Sequence, residues 1–312
     1  MKKRAISVES LNYAYPRNKK ALENINIEVF EGEKVAIIGP NGAGKTTLFL
    51  HLNGTIKSPQ KNVKIFGKSI GDMEIGARIR EVGIVFADSD DQLFMPTVYD
   101  DIAFGPTNMG LSKEEVDKRV SYAIEKVGLK GLENRVPHHL SCGQKKKVVL
   151  ATVIAMRPKI LVLDEPTANL DPKSRADLIK IINELNRKEG VTIIIAMHDV
   201  NVLAELADRV YVLNRKIVAN GSPREIFSDF TLLKANNLDA PDVFKLFKIL
   251  SCLGYACENL PLSFDEAVNE VLNTIEREGI ISLRASEQTH SAIKEIMNNY
   301  SGVWTEGYGK GN

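Results

Sequence analysis

Three groups of residues in this chain have the types and spacing that phosphate chemistry needs. The run Gly39-Pro40-Asn41-Gly42-Ala43-Gly44-Lys45-Thr46-Thr47 keeps the spacing G-x-x-x-x-G-K-[ST]. Glycines at 39, 42 and 44 let backbone N–H groups turn inward around a polyphosphate without Cβ obstruction. A helix opening near Lys45 adds its unpaired N–H groups and the positive end of its dipole. Lys45 would then reach the β- and γ-phosphates, and the Thr46 hydroxyl would sit on Mg²⁺. The second group, Asp164-Glu165, ends the apolar run Ile160-Leu161-Val162-Leu163. A buried strand delivering two carboxylates suits a Mg²⁺ site beside the phosphates, with Asp164 toward the metal, through water, and Glu165 as general base on the attacking water. The plainer alternative is a strand followed by an acidic cap.

The third group is Leu140-Ser141-Cys142-Gly143-Gln144, which admits two compatible readings. Ser141 and Gln144 have the S-x-x-Q spacing of a capping box at a helix start. The same start, with a serine hydroxyl and the bare Gly143 amide, is also an anion site for a γ-phosphate. His198, after the apolar run Thr192-Ile193-Ile194-Ile195, reads by itself as a capping or core histidine.

These residues need strands that end together and helices that start beside them, and the periodicity supplies both. Residues 6–30 read as antiparallel strands, with Ile25, Ile27 and Val29 alternating with polar neighbours. Val35 to Ile38, Ile160 to Leu163 and Thr192 to Ile195 are continuous apolar runs, as expected of parallel strands covered on both faces. Val63 to Phe66 and Val82 to Phe86 read as further strands, and Val210 to Leu213 with Ile217 to Ala219 as a hairpin-like pair. From about residue 96 the pattern turns helical: Ser112/Glu115 opens a helix that Gly128 ends, and a second helix runs from Ser141 to about Met156. Asp171-Pro172 opens another, closed by Gly190. Asn220-Gly221-Ser222-Pro223 is a natural domain edge, followed over 240–279 by an appendage of helices, one opened by Ser263/Glu266. The tail, 280–312, reads as a short strand, a helix from Ser291 to Asn298 and a glycine-rich end, with no recognisable chemistry. The alternation argues an α/β sheet with the nucleotide at the carboxyl ends of its strands.

The chain has 312 residues, 44% hydrophobic and 26% charged, as in soluble globular proteins. Its 41 basic and 40 acidic residues leave a net charge of +1, against a dedicated nucleic-acid binder. Three cysteines, Cys142, Cys252 and Cys257, have neither metal-ligand nor disulfide-framework spacing and fit a reducing compartment. The first residues are basic without the apolar stretch of a signal peptide, and no apolar run approaches the ~18 residues of a membrane span.

Taken in order, the glycine-rich loop, Leu140–Gln144, Asp164-Glu165-Pro166-Thr167, Leu170-Asp171 and Met197-His198-Asp199 resemble the motifs of ATP-binding cassette (ABC) transporter ATPases, matched over about residues 4–236. The resemblance implies an α/β P-loop NTPase core with an N-terminal antiparallel β subdomain, an inserted helical signature subdomain at about 96–156 and a C-terminal helical extension. It implies a head-to-tail dimer in which each ATP, with Mg²⁺, is held by residues 39–47 of one chain and by Ser141 and Gly143 of the other. By position, Tyr15 resembles the aromatic that stacks on adenine, Asp171 the residue at the dimer seam and His198 the contact to the γ-phosphate.

Asp90-Asp91-Gln92-Leu93-Phe94, Ile102-Ala103-Phe104-Gly105-Pro106 and Gly143-Gln144-Lys145-Lys146-Lys147-Val148 are similar to the ATPases of energy-coupling-factor importers, most of all the cobalt and nickel type. Leu238-Asp239-Ala240-Pro241 and Leu260-Pro261-Leu262-Ser263 resemble that group's C-terminal extension, which helps hold two ATPase chains together, here residues 237–279. The resemblance implies ATP hydrolysis that powers a metal-ion importer, at the cytoplasmic face of a membrane with integral membrane partners and no nucleic acid. A vitamin importer and a soluble, non-transport ABC ATPase are the other readings. Leu93-Phe94-Met95 is either subdomain core or part of the groove facing the membrane partner, and Lys145 to Lys147 reads as a solvated helix face. Two positions depart from the pattern. Ala87 stands where the family carries a glutamine that touches Mg²⁺ and the attacking water, with Asp88 and Gln92 close in sequence, and Cys142 replaces a glycine.

Overall fold

A computed structural model describes residues 3–57, 61–257, 259–278, 283, 289, 291–293 and 296. The chain divides into two compact units, residues 1–198 with 211–218, and residues 199–210 with 219–312. The longer segment of the second unit begins at residue 219, beside Asn220–Pro223.

In the first unit, β1 (Arg4–Tyr15) and β2 (Lys19–Phe30) are long antiparallel partners, with Ile6 opposite Val29 and Val8 opposite Ile27. Their inward residues are buried, as the alternation requires. The next elements are β3 (Lys34–Ile38), α1 (Lys45–Leu52), β4 (Val63–Ile65), β5 (Lys68–Ser69), α2 (Ile75–Glu81) and β6 (Val82–Val85). Strands β4 and β5 join β1 and β2 in a four-stranded sheet ordered β2-β1-β4-β5.

The second sheet carries the parallel strands. Its members β7 (Ile160–Asp164) and β8 (Thr192–Ala196) lie between β3 and β6 in the order β3-β8-β7-β6, and all three pairings are parallel. Residues 211–218 extend it on the β3 side. Every residue of β3, β7 and β8 is buried, which is why these strands read as unbroken apolar runs. Ile37 is level with Ala196, Asp164 with Ala196 and Val85 with Leu163, so four strands end nearly flush on one edge.

Between β6 and β7 lie α3 (Val98–Asn108), α4 (Lys113–Val127) and α5 (Cys142–Ile154), packed against one another. Thr97 caps α3 and Ser112 caps α4, which Gly128 closes with a positive φ of 70°. Helix α6 (Pro172–Glu189) has Asp171 as N-cap, Pro172 at its first position and Gly190 at its end. In the second unit, Phe247, Tyr255 and Ala267 form a small core with Val243, Leu250, Leu260 and Val271 around it. Its helix over Phe264–Glu278 leaves Phe264, Val268, Leu272 and Ile275 exposed along one side, at helical spacing. Of the tail, Ser291, Ala292, Ile293 and Ile296 are helical; the expected strand, the rest of the expected helix and the glycine-rich end lie outside the described residues.

Helix α1 holds one titratable group under tension. His51 is 1% exposed, stands edge-on to Tyr13 with ring centroids 4.8 Å apart, and donates from Nδ1 to the Thr47 carbonyl at 2.8 Å. Its Nε2 has no partner among the described residues. Burial holds the imidazole below its ordinary pKa, so the folded state keeps it neutral while the unfolded chain takes up a proton. Stability from this group is complete above the unfolded value of about 6.5 and declines as pH falls below it, by up to about 1.4 kcal/mol per pH unit. Thermal melts between about pH 7.5 and about pH 5.5 should show a larger loss for the wild type than for His51→Leu. Equal losses would remove His51 as the source.

Candidate functional site

The glycine-rich loop leaves the end of β3 and opens α1, with Gly42 and Gly44 at φ 77° and 102°. A side chain at Gly44 would also stand 2.6 Å from the Ala21 carbonyl, so close approach and backbone conformation both demand glycine there. The Lys45 ammonium folds back over the loop and donates to the carbonyls of Gly39 at 2.7 Å and Pro40 at 3.2 Å. Burial lowers its pKa while Glu165 and Asp164 pull it back up. A cation curled onto two carbonyls of a glycine-rich loop can exchange them for phosphate oxygens. Tyr15, 38% exposed, bonds its hydroxyl to Thr47 Oγ1 at 3.0 Å and stands edge-on to Tyr13, so an aromatic face borders the loop.

The flush strand ends bring the acids to the same place. The Thr46 hydroxyl donates to Asp164 Oδ2 at 2.7 Å. Burial raises the Asp164 pKa, the Thr46 hydrogen bond opposes the shift, and neighbouring Glu165 adds to it. Glu165 has a left-handed backbone, φ 49°, and its Oε1 lies 2.8 Å from His198 Nε2. That nitrogen is also 3.4 Å from Lys45 Nζ. His198 is therefore neither a cap nor a core residue: its side chain is 40% exposed and stands between the lysine and the glutamate.

Neither neighbour of Ala87 replaces a glutamine there. Gln92 accepts from the Phe86 amide at 2.7 Å and donates to the Ile84 carbonyl at 3.1 Å, spending its amide on β6. Asp88 caps a turn by accepting from the Asp90 amide at 2.9 Å.

The start of α5 is a complete capping box: the Ser141 amide donates to Gln144 Oε1 at 3.0 Å and the Gln144 amide to Ser141 Oγ at 3.3 Å. Asp171 accepts from the Ser174 amide at 3.0 Å, and bonds from Ser174 hold its pKa low. Ser141, Gln144 and Asp171 spend these bonds at helix starts, whereas Lys45, Thr46, Asp164, Glu165 and His198 converge. Gly143 has an internal reason to be glycine, because a Cβ would stand 2.6 Å from Ser174 Oγ on α6. Cys142 is exposed and lines a cleft of about 400 Å³ with Ala87, Asp88, Lys145 and Glu165.

The expectation of a solvated face at Lys145–Lys147 is corrected. Lys145 donates to Asp90 at 2.8 Å, Lys147 to Asp177 at 2.9 Å, and Lys146 is 4% exposed with its ammonium on the carbonyls of Ala87 and Glu165. Three consecutive helical residues span about 200° around the axis, so on a helix covered from several sides they cannot all face solvent. That geometry is the signal the bare charge run lacked. The apolar stretch Leu93-Phe94-Met95 divides instead: Leu93 is buried, while Phe94 is 62% exposed and stacks edge-on with exposed Phe104.

The family model described as ABC transporter matches residues 22–168. An energy-coupling factor transporter ATP-binding protein of Methanothermobacter thermautotrophicus is 47% identical over 274 residues, 86% of this chain and 87% of its own length. The chain belongs to the ABC transporter family. As an ABC ATPase it hydrolyses ATP, and it is of the energy-coupling-factor type. The solved structure of cbiO1 from Clostridium perfringens, described as part of the ABC transporter complex cbiONQ, is 39% identical with a TM-score of 0.67, over 75% of this chain and 95% of that one. A dimeric ATP-binding cassette in a post-hydrolysis state with ADP and phosphate is 26% identical with a TM-score of 0.63, over 70% of this chain and 98% of that one. The two sheets and inserted helices described above are the ABC ATPase fold of these neighbours.

In this ABC ATPase, Gly143 should matter to packing before any nucleotide arrives. Gly143→Ala should lower the nucleotide-free stability by about 1–3 kcal/mol, read from denaturant unfolding, because Ser174 must move. Unchanged stability would leave Gly143 with no packing role.

Proposed function

We propose that this chain binds Mg·ATP at the flush end of its parallel strands and hydrolyses it in a head-to-tail dimer, so driving an importer from the cytoplasmic face of the membrane. The observation that carries this reading is the convergence of Lys45, Thr46, Asp164, Glu165 and His198 at one sheet edge. Residues 39–47 cradle the phosphates, Tyr15 faces the base, and Ser141 and Gly143 of the second chain close the site, with Gln144 holding Ser141 and Asp171 at the seam. The exposed stripe Phe264, Val268, Leu272 and Ile275 gives residues 237–279 an apolar face for that association. Among the described residues no helix is long and apolar enough to cross a membrane, so the path belongs to membrane subunits, with exposed Phe94 and Phe104 supporting their docking.

The donor set fits magnesium. Thr46 Oγ1 and Asp164 Oδ2 are hard oxygens 2.7 Å apart, and burial raises the Asp164 pKa, a cost that a divalent ion would relieve. Thr46 would hold the ion directly and Asp164 through water; when bound it neutralises phosphate charge. Glu165 takes a proton from the attacking water onto its carboxylate. Lys45 leaves the loop carbonyls for the phosphate oxygens, and with His198 and the partner's signature serine it balances the charge that develops there.

Glu165→Gln should cut turnover on the order of a hundredfold or more and accumulate an ATP-bound dimer on gel filtration. Normal turnover in that variant would sink the assignment of the base. Ala87→Gln should raise Mg·ATP turnover severalfold, by supplying an amide where a methyl group now stands; an unchanged or lower rate would count against it. For the cargo, likeness to cbiO1 supports cobalt or nickel ions, while relatives named only for energy coupling are equally compatible with a vitamin. Isolation from membranes with native partners, then uptake assays with each cargo, separates the two.

A further inference from the structure

Lys146 is one turn beyond Cys142 on α5 and points inward, 4% exposed. An ammonium taken from water must find acceptors, and this one donates to the Ala87 carbonyl at 2.6 Å and to the Glu165 carbonyl at 3.1 Å. It thus ties three segments of the first unit together: the loop after β6, the turn after β7 and the start of α5. The turn after β7 is where a constraint is needed. Glu165 is a non-glycine residue at φ 49°, a conformation that persists only when its surroundings over-determine it. Its amide is held by the Ala196 carbonyl at 2.9 Å, and its own carbonyl accepts from Lys146 and from the Ala168 amide at 3.2 Å. Rotation of that peptide would swing the carboxylate off His198, 2.8 Å away. At position 87 the side chain is only a methyl group, and it is the backbone carbonyl that Lys146 uses.

We infer that Lys146 is a positioning residue for ATP hydrolysis: its buried ammonium, bridging the Ala87 and Glu165 carbonyls, fixes the backbone that aims the Glu165 carboxylate. The alignment of Glu165 therefore depends on the place of α5, whose first residues complete the other nucleotide site in the proposed dimer. The inference rests on the reading of Glu165 as base.

The test uses the full-length protein with Mg·ATP. Lys146→Met keeps the stem and removes the donors, and Lys146→Arg restores donors on a longer arm. Lys146→Met should lower kcat about tenfold while KM for ATP and the affinity for a fluorescent ATP analogue stay within about twofold. Lys146→Arg should recover most of the loss. In a Glu165→Gln background, Lys146→Met should cost little further, because a residue acting through Glu165 has nothing left to aim. A kcat within about threefold of wild type, an equal fall in nucleotide affinity, no recovery by arginine, or full additivity with Glu165→Gln would each overturn the inference. If Lys146→Met does not fold, Lys146→Gln, with one shorter donor arm, is read by the same criteria. Normal turnover in Glu165→Gln alone would instead overturn the base assignment, whatever Lys146 does.

Discussion

Parallel pairing of β3, β8, β7 and β6 in nearly flush register is the constraint on which the site depends. Because Ile37 and Asp164 are both level with Ala196, whatever follows each strand emerges on the same edge. The glycine-rich loop follows β3, the acidic pair closes β7, and Met197-His198 follows β8. A shift of one residue would move a carboxylate by about 3.3 Å and turn it to the other face of the sheet. The central strands β3, β7 and β8 can hold that register because every residue in them is buried and all but Lys34, Asp164 and Thr192 are apolar. The chemistry at the edge thus rests on the blandest part of the chain.

At that edge the charges balance within a small space. Lys45 is partly desolvated and held on two loop carbonyls, Asp164 is raised by burial and steadied by Thr46, and Glu165 leans on His198. Each group is satisfied by a contact that a phosphate or its cation would replace. The charged groups thus stand together before any ligand arrives, and binding would exchange one set of contacts for another.

Helix α5 links this edge to the inserted helices. Its first turn is closed by the Ser141–Gln144 box and packed against Ser174 through Gly143, and its next residues reach Asp90, the carbonyls of Ala87 and Glu165, and Asp177. A helix tied at so many points moves with the segments it holds. The start of α5 therefore belongs mechanically to the edge of its own chain.

The sequence by itself determined the motifs and the elements that carry them. Glycine and lysine at the loop, acids closing an apolar run, S-x-x-Q before a helix and Asp-Pro opening another are local patterns set by backbone sterics, capping and period, and a linear reading finds them. Most strand and helix limits fall within a residue or two of that reading. The charge run at 145–147 misled, because whether a helical lysine meets water depends on what covers the helix, and no spacing records that. Leu93 and Phe94 could not be told apart for the same reason. The tertiary structure alone decided that Gln92 belongs to β6, that His198 stands between Lys45 and Glu165, and that a lysine from α5 meets the Ala87 carbonyl. The last two join segments far apart in the chain, and all three depend on directions and distances that only packing supplies. The loop of residues 39–47 is legible wherever it occurs; what surrounds it is fixed by which strands lie beside β3.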